Sequence, residues 1–220
     1  MMVNRLIFEG PDDKHVVVNL LFNHEYAGEP LCEQFHEKVK NGIDHLIDTL
    51  NEELKATDLG RLGIVIDADT DLAKQWARVT RVLDTHRFKD VPTAPDPHGT
   101  VVQTTDGQRV GIWVMPDNQN NGALEDFIGL LIGKEDPLWP RAQENVNSIP
   151  ESDRRFRETY LSKAQVHTWL AWQEEPGTKM GETFKKKYLD PEHPQARLFV
   201  NWVRQLLAEP GHGSEANTHG

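Results

Sequence analysis

Two short apolar runs, each ending in acid and leading straight into a helical pattern, constrain this chain most. Arg5–Phe8 reads as a buried strand, is followed at once by Glu9, and precedes a helix that begins near Asp12. Gly63–Ile66 is a clearer β-branched strand signal followed by Asp67, Ala68 and Asp69, after which Leu72, Trp76, Val79 and Leu83 recur at helical spacing. Short apolar runs alternating with longer helical periods predict βαβ units. The expected fold is therefore α/β, with a mostly parallel central sheet of about four strands flanked by helices, in which Arg5–Phe8, Leu62–Ile66 and Val110–Met115 lie side by side.

Further helices are predicted over Asp12 to Phe22, Asn41 to Leu54, Leu124 to Leu131, Glu151 to Gln173 and Pro194 to Leu207, from apolar residues three and four apart. Val101–Gln103 and Val110–Met115 read as a hairpin around Asp106-Gly107. The pattern divides the chain into an α/β core over residues 1–135, a C-terminal helical extension packed on it over 136–208, and a tail over 209–220 whose polar, aperiodic composition predicts disorder.

Composition narrows the function. A formal charge of −11 argues against gripping nucleic acid by broad phosphate neutralisation, which needs clustered Lys and Arg; contact through a metal bridge stays open. The single Cys32 rules out an internal disulfide and a Cys-rich zinc site and fits a reducing compartment. No apolar stretch reaches the length of a membrane span and the N-terminus has no signal-peptide pattern, so a cytoplasmic protein without membrane contact is expected, and a homo-oligomer is compatible with the sequence.

The acids carry the chemistry. Ligands of open α/β sheets bind outside the carboxyl ends of the strands, where Glu9, Asp67 and Asp69 would converge. Carboxylates brought that close repel unless a cation lies between them, and hard oxygen ligands suit Mg2+ or Mn2+ rather than zinc. Asp67 and Asp69, alternate residues of an extended strand end, would project to one side and share an ion. Asp13 lies one helical turn beyond Glu9 and joins the set, whereas Asp12 faces water or caps the helix, and Asp71 caps the next helix. Glu125 and Asp126 form a second candidate cluster, on a helix first turn that favours acids with or without a function. Asp117 and Asn118 read as turn formers that stay candidates because they follow a strand. Trp169, Trp172 and Trp202 read as core or interface, and His15 and His167 as structural.

Glu9-Gly10 with Asp13, followed by Asp67-Ala68-Asp69 at a strand end, resembles the Toprim domain of topoisomerases, primases and overcoming-lysogenization-defect nucleases. The segments Gly111–Asn118, Gly122–Phe127 and Lys163–Trp172 extend the likeness, from about Arg5 to Leu207, to a small Toprim-related bacterial family of unknown function. The resemblance implies a Toprim-like Rossmannoid fold and a metal-dependent nuclease acting on nucleic-acid phosphodiesters. It implies metal ligands at Glu9, Asp13, Asp67 and Asp69, with Glu9 as a catalytic group that doubles as ligand or proton-transfer residue. Glu125 and Asp126 are further metal candidates. Lys163 is the second catalytic candidate, because related nucleases use a lysine contributed after the acidic motifs, and Lys179 stands behind it. The chain has no Gly-x-x-x-x-Gly-Lys-Ser/Thr loop, so the resemblance also implies a separate ATPase partner, in phage defence. The alternative is a catalytically silent Toprim-fold regulator that binds a protein or a nucleotide. A haloacid-dehalogenase phosphatase, invited by Ile64-Val65-Ile66-Asp67-Ala68-Asp69, is set aside because Asp71 occupies the place where that motif wants Thr or Val.

Overall fold

The computed structural model describes residues 2–208 except 87, 89 and 106. Its main sheet has five strands: β1 (Val3–Phe8), β4 (His36–Val39), β5 (Leu59–Asp67), β6 (Thr100–Gln103) and β7 (Arg109–Met115), in the order β4-β1-β5-β7-β6. All neighbours are parallel except β6, which runs antiparallel to β7 at one edge. The expected trio β1, β5 and β7 is adjacent, with β5 central. A two-stranded hairpin, β2 (Glu25–Tyr26) and β3 (Glu29–Pro30), stands apart. The helices are α1 (Pro11–Phe22), α2 (Ile43–Lys55), α3 (Leu72–Asp84), α4 (Leu124–Leu131), α5 (Leu138–Asn147), α6 (Leu161–Ala171) and α7 (Pro194–Leu207). None of them is long and apolar enough to cross a membrane.

The central strands are apolar at nearly every position because both faces are covered. Ile7, Ile64, Ile66, Ile112 and Val114 pack against Leu46 and Leu50 of α2 and Trp76 and Val79 of α3. On the other face, Phe8, Val65, Trp113 and Met115 meet α1, α4, α6 and α7. Residues beyond 135 thus supply part of one of the two covering layers.

Three glycines make the seat for α7. Gly63 and Gly111 are direct partners across β5 and β7, and the Trp202 and Leu206 side chains lie over them. A Cβ at Gly111 would stand 3.0 Å from the Trp202 ring, and one at Gly99, whose φ is +89°, only 2.4 Å from it. The indole is held by its Nε1 donating to Thr100 O at 3.1 Å and packs on Trp113 and Phe199, with ring centroids 5.7 and 5.1 Å away. Gly111→Val is expected to overpack this seat and cost about 1–3 kcal/mol, read as a lower urea midpoint at an unchanged m-value.

A buried ionic cluster ties α2 to β1 and β4. Glu53 accepts from Lys40 at 2.7 Å and from Lys38 at 2.9 Å and pairs with Arg5 at 3.4 Å, while Arg5 also reaches Asp58 at 2.6 Å. Lys38 belongs to β4, an edge strand too polar to announce itself by an apolar run.

Three expectations change. The helix expected over Glu151 to Gln173 is only α6; residues 148–157 form turns after Pro150, and a 3-10 turn over Glu158–Tyr160 leads into the helix. Tyr160 is therefore exposed, and so is His167, which was read as structural; the buried residues of α6 are Gln165, Val166, Trp169 and Leu170. Trp169 and Trp202 are core as read, whereas Trp172 is 40 % exposed. The β6–β7 hairpin forms, but Asp106 of its expected turn lies outside the described residues, as does the expected disordered tail.

Candidate functional site

Because β1, β5 and β7 are parallel neighbours, their carboxyl ends open on one side of the sheet, where α1, α4 and α6 also begin. A cavity of about 880 Å3 lies there. Asp13, Asp67, Asp69, Glu125, Asp126 and Lys163 are among its walls, as is Asp12, so of the seven residues expected as metal ligands or leading catalytic groups all but one line it. The exception is Glu9, which does not line the cavity. Its Oε2 accepts from the Asp67 backbone amide at 3.3 Å, linking the ends of β1 and β5.

Asp13 is the buried acid of α1. Its Oδ2 accepts from Gly10 N at 3.0 Å, closing the first helical turn, and its Oδ1 is buried without a hydrogen-bond partner. Gly10 is in extended backbone, so it is needed for space rather than for a turn: a Cβ there would lie 2.8 Å from that same Oδ2. Burial, then the charges of Glu9 and Glu125, push Asp13 up to about 7. Asp67, the last residue of β5, likewise has a buried, partnerless Oδ1. Burial, followed by the charges of Asp13, Glu9, Glu125 and Asp69, raises it well above the usual carboxylate range. Glu9 is raised as well, first by burial and also by Asp69, against the opposing hydrogen bond from Asp67 N.

Asp69 enters by a different geometry from the one the strand pattern suggests. The chain leaves the extended conformation there, with φ +52°, and the Asp69 and Gly122 backbones exchange two hydrogen bonds of 2.8 Å. Asp69 is exposed and its Oδ2 accepts from Gln75 Nε2 at 3.0 Å, so it shares no face with Asp67 by alternation. Asp71 caps α3, accepting from Lys74 N at 2.9 Å.

On the opposite wall, Glu125 pairs with Lys163 Nζ at 2.9 Å. Partial burial favours the neutral amine of Lys163, but Glu125 outweighs it and holds the lysine above its ordinary pKa. Asp126 has both oxygens engaged, Oδ2 by Ala123 N at 2.8 Å and Oδ1 by the Ser162 hydroxyl, so it closes the first turn of α4 and pins α6 to it. Asp117 is a turn former, accepting from the amides of Gln119 and Asn120, and the Asn118 Oδ1 accepts from Val114 N. Lys179 is exposed and is not a wall of the cavity. Thr159, Tyr160 and Ser162 are walls that no pattern in the sequence marks, since they follow the acidic segments by more than thirty residues and owe their place to packing of α6 on α4.

Among the described residues, no three His, Cys, Asp or Glu side chains already form a group that could hold a metal ion. The donor chemistry nevertheless suits a hard cation. The two buried partnerless oxygens, Asp13 Oδ1 and Asp67 Oδ1, belong to walls of one cavity, and magnesium is commonly held by one or two carboxylates with water and substrate phosphate completing its shell.

Comparison with curated proteins and with solved structures finds no match. A family model does match, described as a protein of unknown function, DUF3226, over residues 3–208. The chain belongs to that family.

Proposed function

We propose that the protein is a Toprim-like, metal-dependent nuclease whose cavity takes Mg2+ or Mn2+ between Asp13 and Asp67. The observation that carries this reading is the pair of buried carboxylate oxygens that the protein leaves without partners, in two side chains whose ionised forms it disfavours. A cation would relieve that burial and repulsion together. Asp13 and Asp67 would hold it, and Glu125 could join after release from Lys163. The ion, when bound, would supply charge neutralisation at a substrate phosphate. Glu9, half-buried and raised, is suited to hold a proton beside Asp67 and to keep the two strand ends in register. Lys163, already charged and at the wall, would turn from Glu125 to the charge that develops on the phosphate.

Toprim likeness rests on this order of acids at adjacent strand ends, and phage defence with a separate ATPase rests on the sequence resemblance. The silent regulator remains the second reading, favoured by the lack of an assembled three-acid group among the described residues and by the net charge of −11.

Calorimetric titration of Mn2+ separates them. The native protein should bind Mn2+ and Asp67→Asn should not, while Mn2+-supported nicking of DNA or RNA, weak for an acidic protein alone, is expected to vanish in Glu9→Ala and Asp69→Ala. A native protein that binds no Mn2+ and cleaves nothing, with or without an ATPase partner, establishes the regulator.

A further inference from the structure

An acidic protein that acts on a polyanion needs local positive charge beside its site, because the cavity itself repels phosphate. Residues 154–163 hold four basic side chains, Arg154, Arg155, Arg157 and Lys163, in a chain whose total balance is strongly negative. Two of them are committed within the fold: Arg154 pairs with Glu158 and lies over the Phe156 ring at 5.5 Å, and Lys163 pairs with Glu125. The side chains of Arg155 and Arg157 are exposed and make no hydrogen bond or ion pair with any described residue.

Their place is fixed by the turn that follows. Tyr160 N donates to Arg157 O at 2.8 Å, closing the 3-10 turn, and Thr159 and Tyr160 are both walls of the acidic cavity. Two residues of chain span at most about 7 Å, so Arg157 stands at the cavity's lip. Tyr160, an aromatic residue at the start of α6, is 49 % exposed.

We propose that this segment is a binding strap for single-stranded nucleic acid, in which Arg155 and Arg157 take backbone phosphates and the Tyr160 ring stacks on an unpaired base, delivering the adjoining phosphate to the acidic cavity. A single strand is the form that fits, because a base within a duplex has both faces occupied, whereas an aromatic ring beside free arginines is the usual platform for strands without that constraint. The strap rests on the nuclease reading for its substrate class, but its residues are separate from the acids, so the two stand or fall on different measurements.

The test is fluorescence anisotropy of the full chain with a labelled single strand of about 12 nucleotides, and with the matching duplex, in chelator and in Mn2+ across a salt series. The native protein should prefer the single strand. Arg155→Ala combined with Arg157→Ala should flatten the slope of log affinity against log salt by about 1.4, as two lost phosphate contacts require. Tyr160→Ala should weaken binding about tenfold with the slope unchanged, and Tyr160→Phe should restore it. Equal affinity for duplex and single strand, or variants that bind as the native protein does, overturns the strap. Loss of Mn2+ binding, measured by calorimetry without nucleic acid, would instead strike the nuclease reading while leaving strap binding in chelator intact.

Discussion

Replacing Glu53 with Gln is expected to destabilise the protein by about 3–5 kcal/mol, the cost typical of removing one partner from a buried ion cluster. The carboxylate is the shared acceptor of Lys40, Lys38 and Arg5, and both Arg5 and Lys40 are buried with it. A glutamine would leave cations inside the protein facing a neutral amide. Lys38→Met is the contrasting variant: its side chain is 42 % exposed, so its loss should cost no more than about 1 kcal/mol. Urea denaturation of the two variants beside the native protein measures the difference, and equal effects would mean that Glu53 is solvated. The same carboxylate sets a limit on the acid side. Burial alone would raise Glu53, but the hydrogen bonds and charges of Lys40 and Lys38 outweigh it and hold its pKa below the usual value. Its contribution should thus be complete above the unfolded-state value of about 4.3 and be lost as pH falls through the lowered folded value.

The acidic cavity has the opposite sign. Asp13 stands at about 7 in the folded protein, against about 3.9 in an unfolded chain, so between those values the folded state holds the extra proton and stability falls as pH rises. Asp13→Asn removes that penalty, and its amide oxygen can still accept from Gly10 N. In chelator at pH 8 the variant should be more stable than the native protein by about 2–4 kcal/mol, and the gap should close near pH 4, where both side chains are neutral. Adding Mn2+ should reverse the order, because only the native protein gains stability from binding it. Urea midpoints at pH 4, 6 and 8, with and without Mn2+, decide this. A gap that does not change with pH would show that the Asp13 oxygen is hydrated and under no pressure to keep its proton.

The parts of this molecule that the sequence made legible are those in which one local signal dominates. β1, β5 and β7 are apolar at nearly every position because they are buried on both faces, and α7 carries Phe199, Trp202, Val203 and Leu206 in a clean helical period with Pro194 at its start. Strand β4 was not legible, because His36, Glu37 and Lys38 are polar and its place depends on pairing with β1 and on Glu53. The helix α5 went unrecognised with Pro140 in its first turn, while the periodicity of Phe156, Tyr160 and Ala164 continued α6 backward through a segment that turns. At the site, Glu9 and Asp67 were legible as strand ends. Asp69 was legible as an acid but not in its geometry, since a left-handed backbone paired with Gly122 replaces the strand alternation assumed for it. Tyr160 and Ser162 reach the cavity only through the packing of α6 on α4, a contact between distant stretches of chain.

The glycine seat under α7 also imposes an order on biosynthesis. Gly63 and Gly111 leave a hollow in the two central strands that Trp202 and Leu206 fill, beside Leu6, and Arg109 fastens the far end of α7 through the Gln205 and Ala208 carbonyls. Until residues 194–207 have left the ribosome, the part of β5 and β7 that α7 covers stays open, so the first 135 residues cannot complete their core while the rest is being made. The nascent chain therefore keeps that apolar surface uncovered until its C-terminal helix arrives, which is the kind of exposure that makes incomplete folds prone to association.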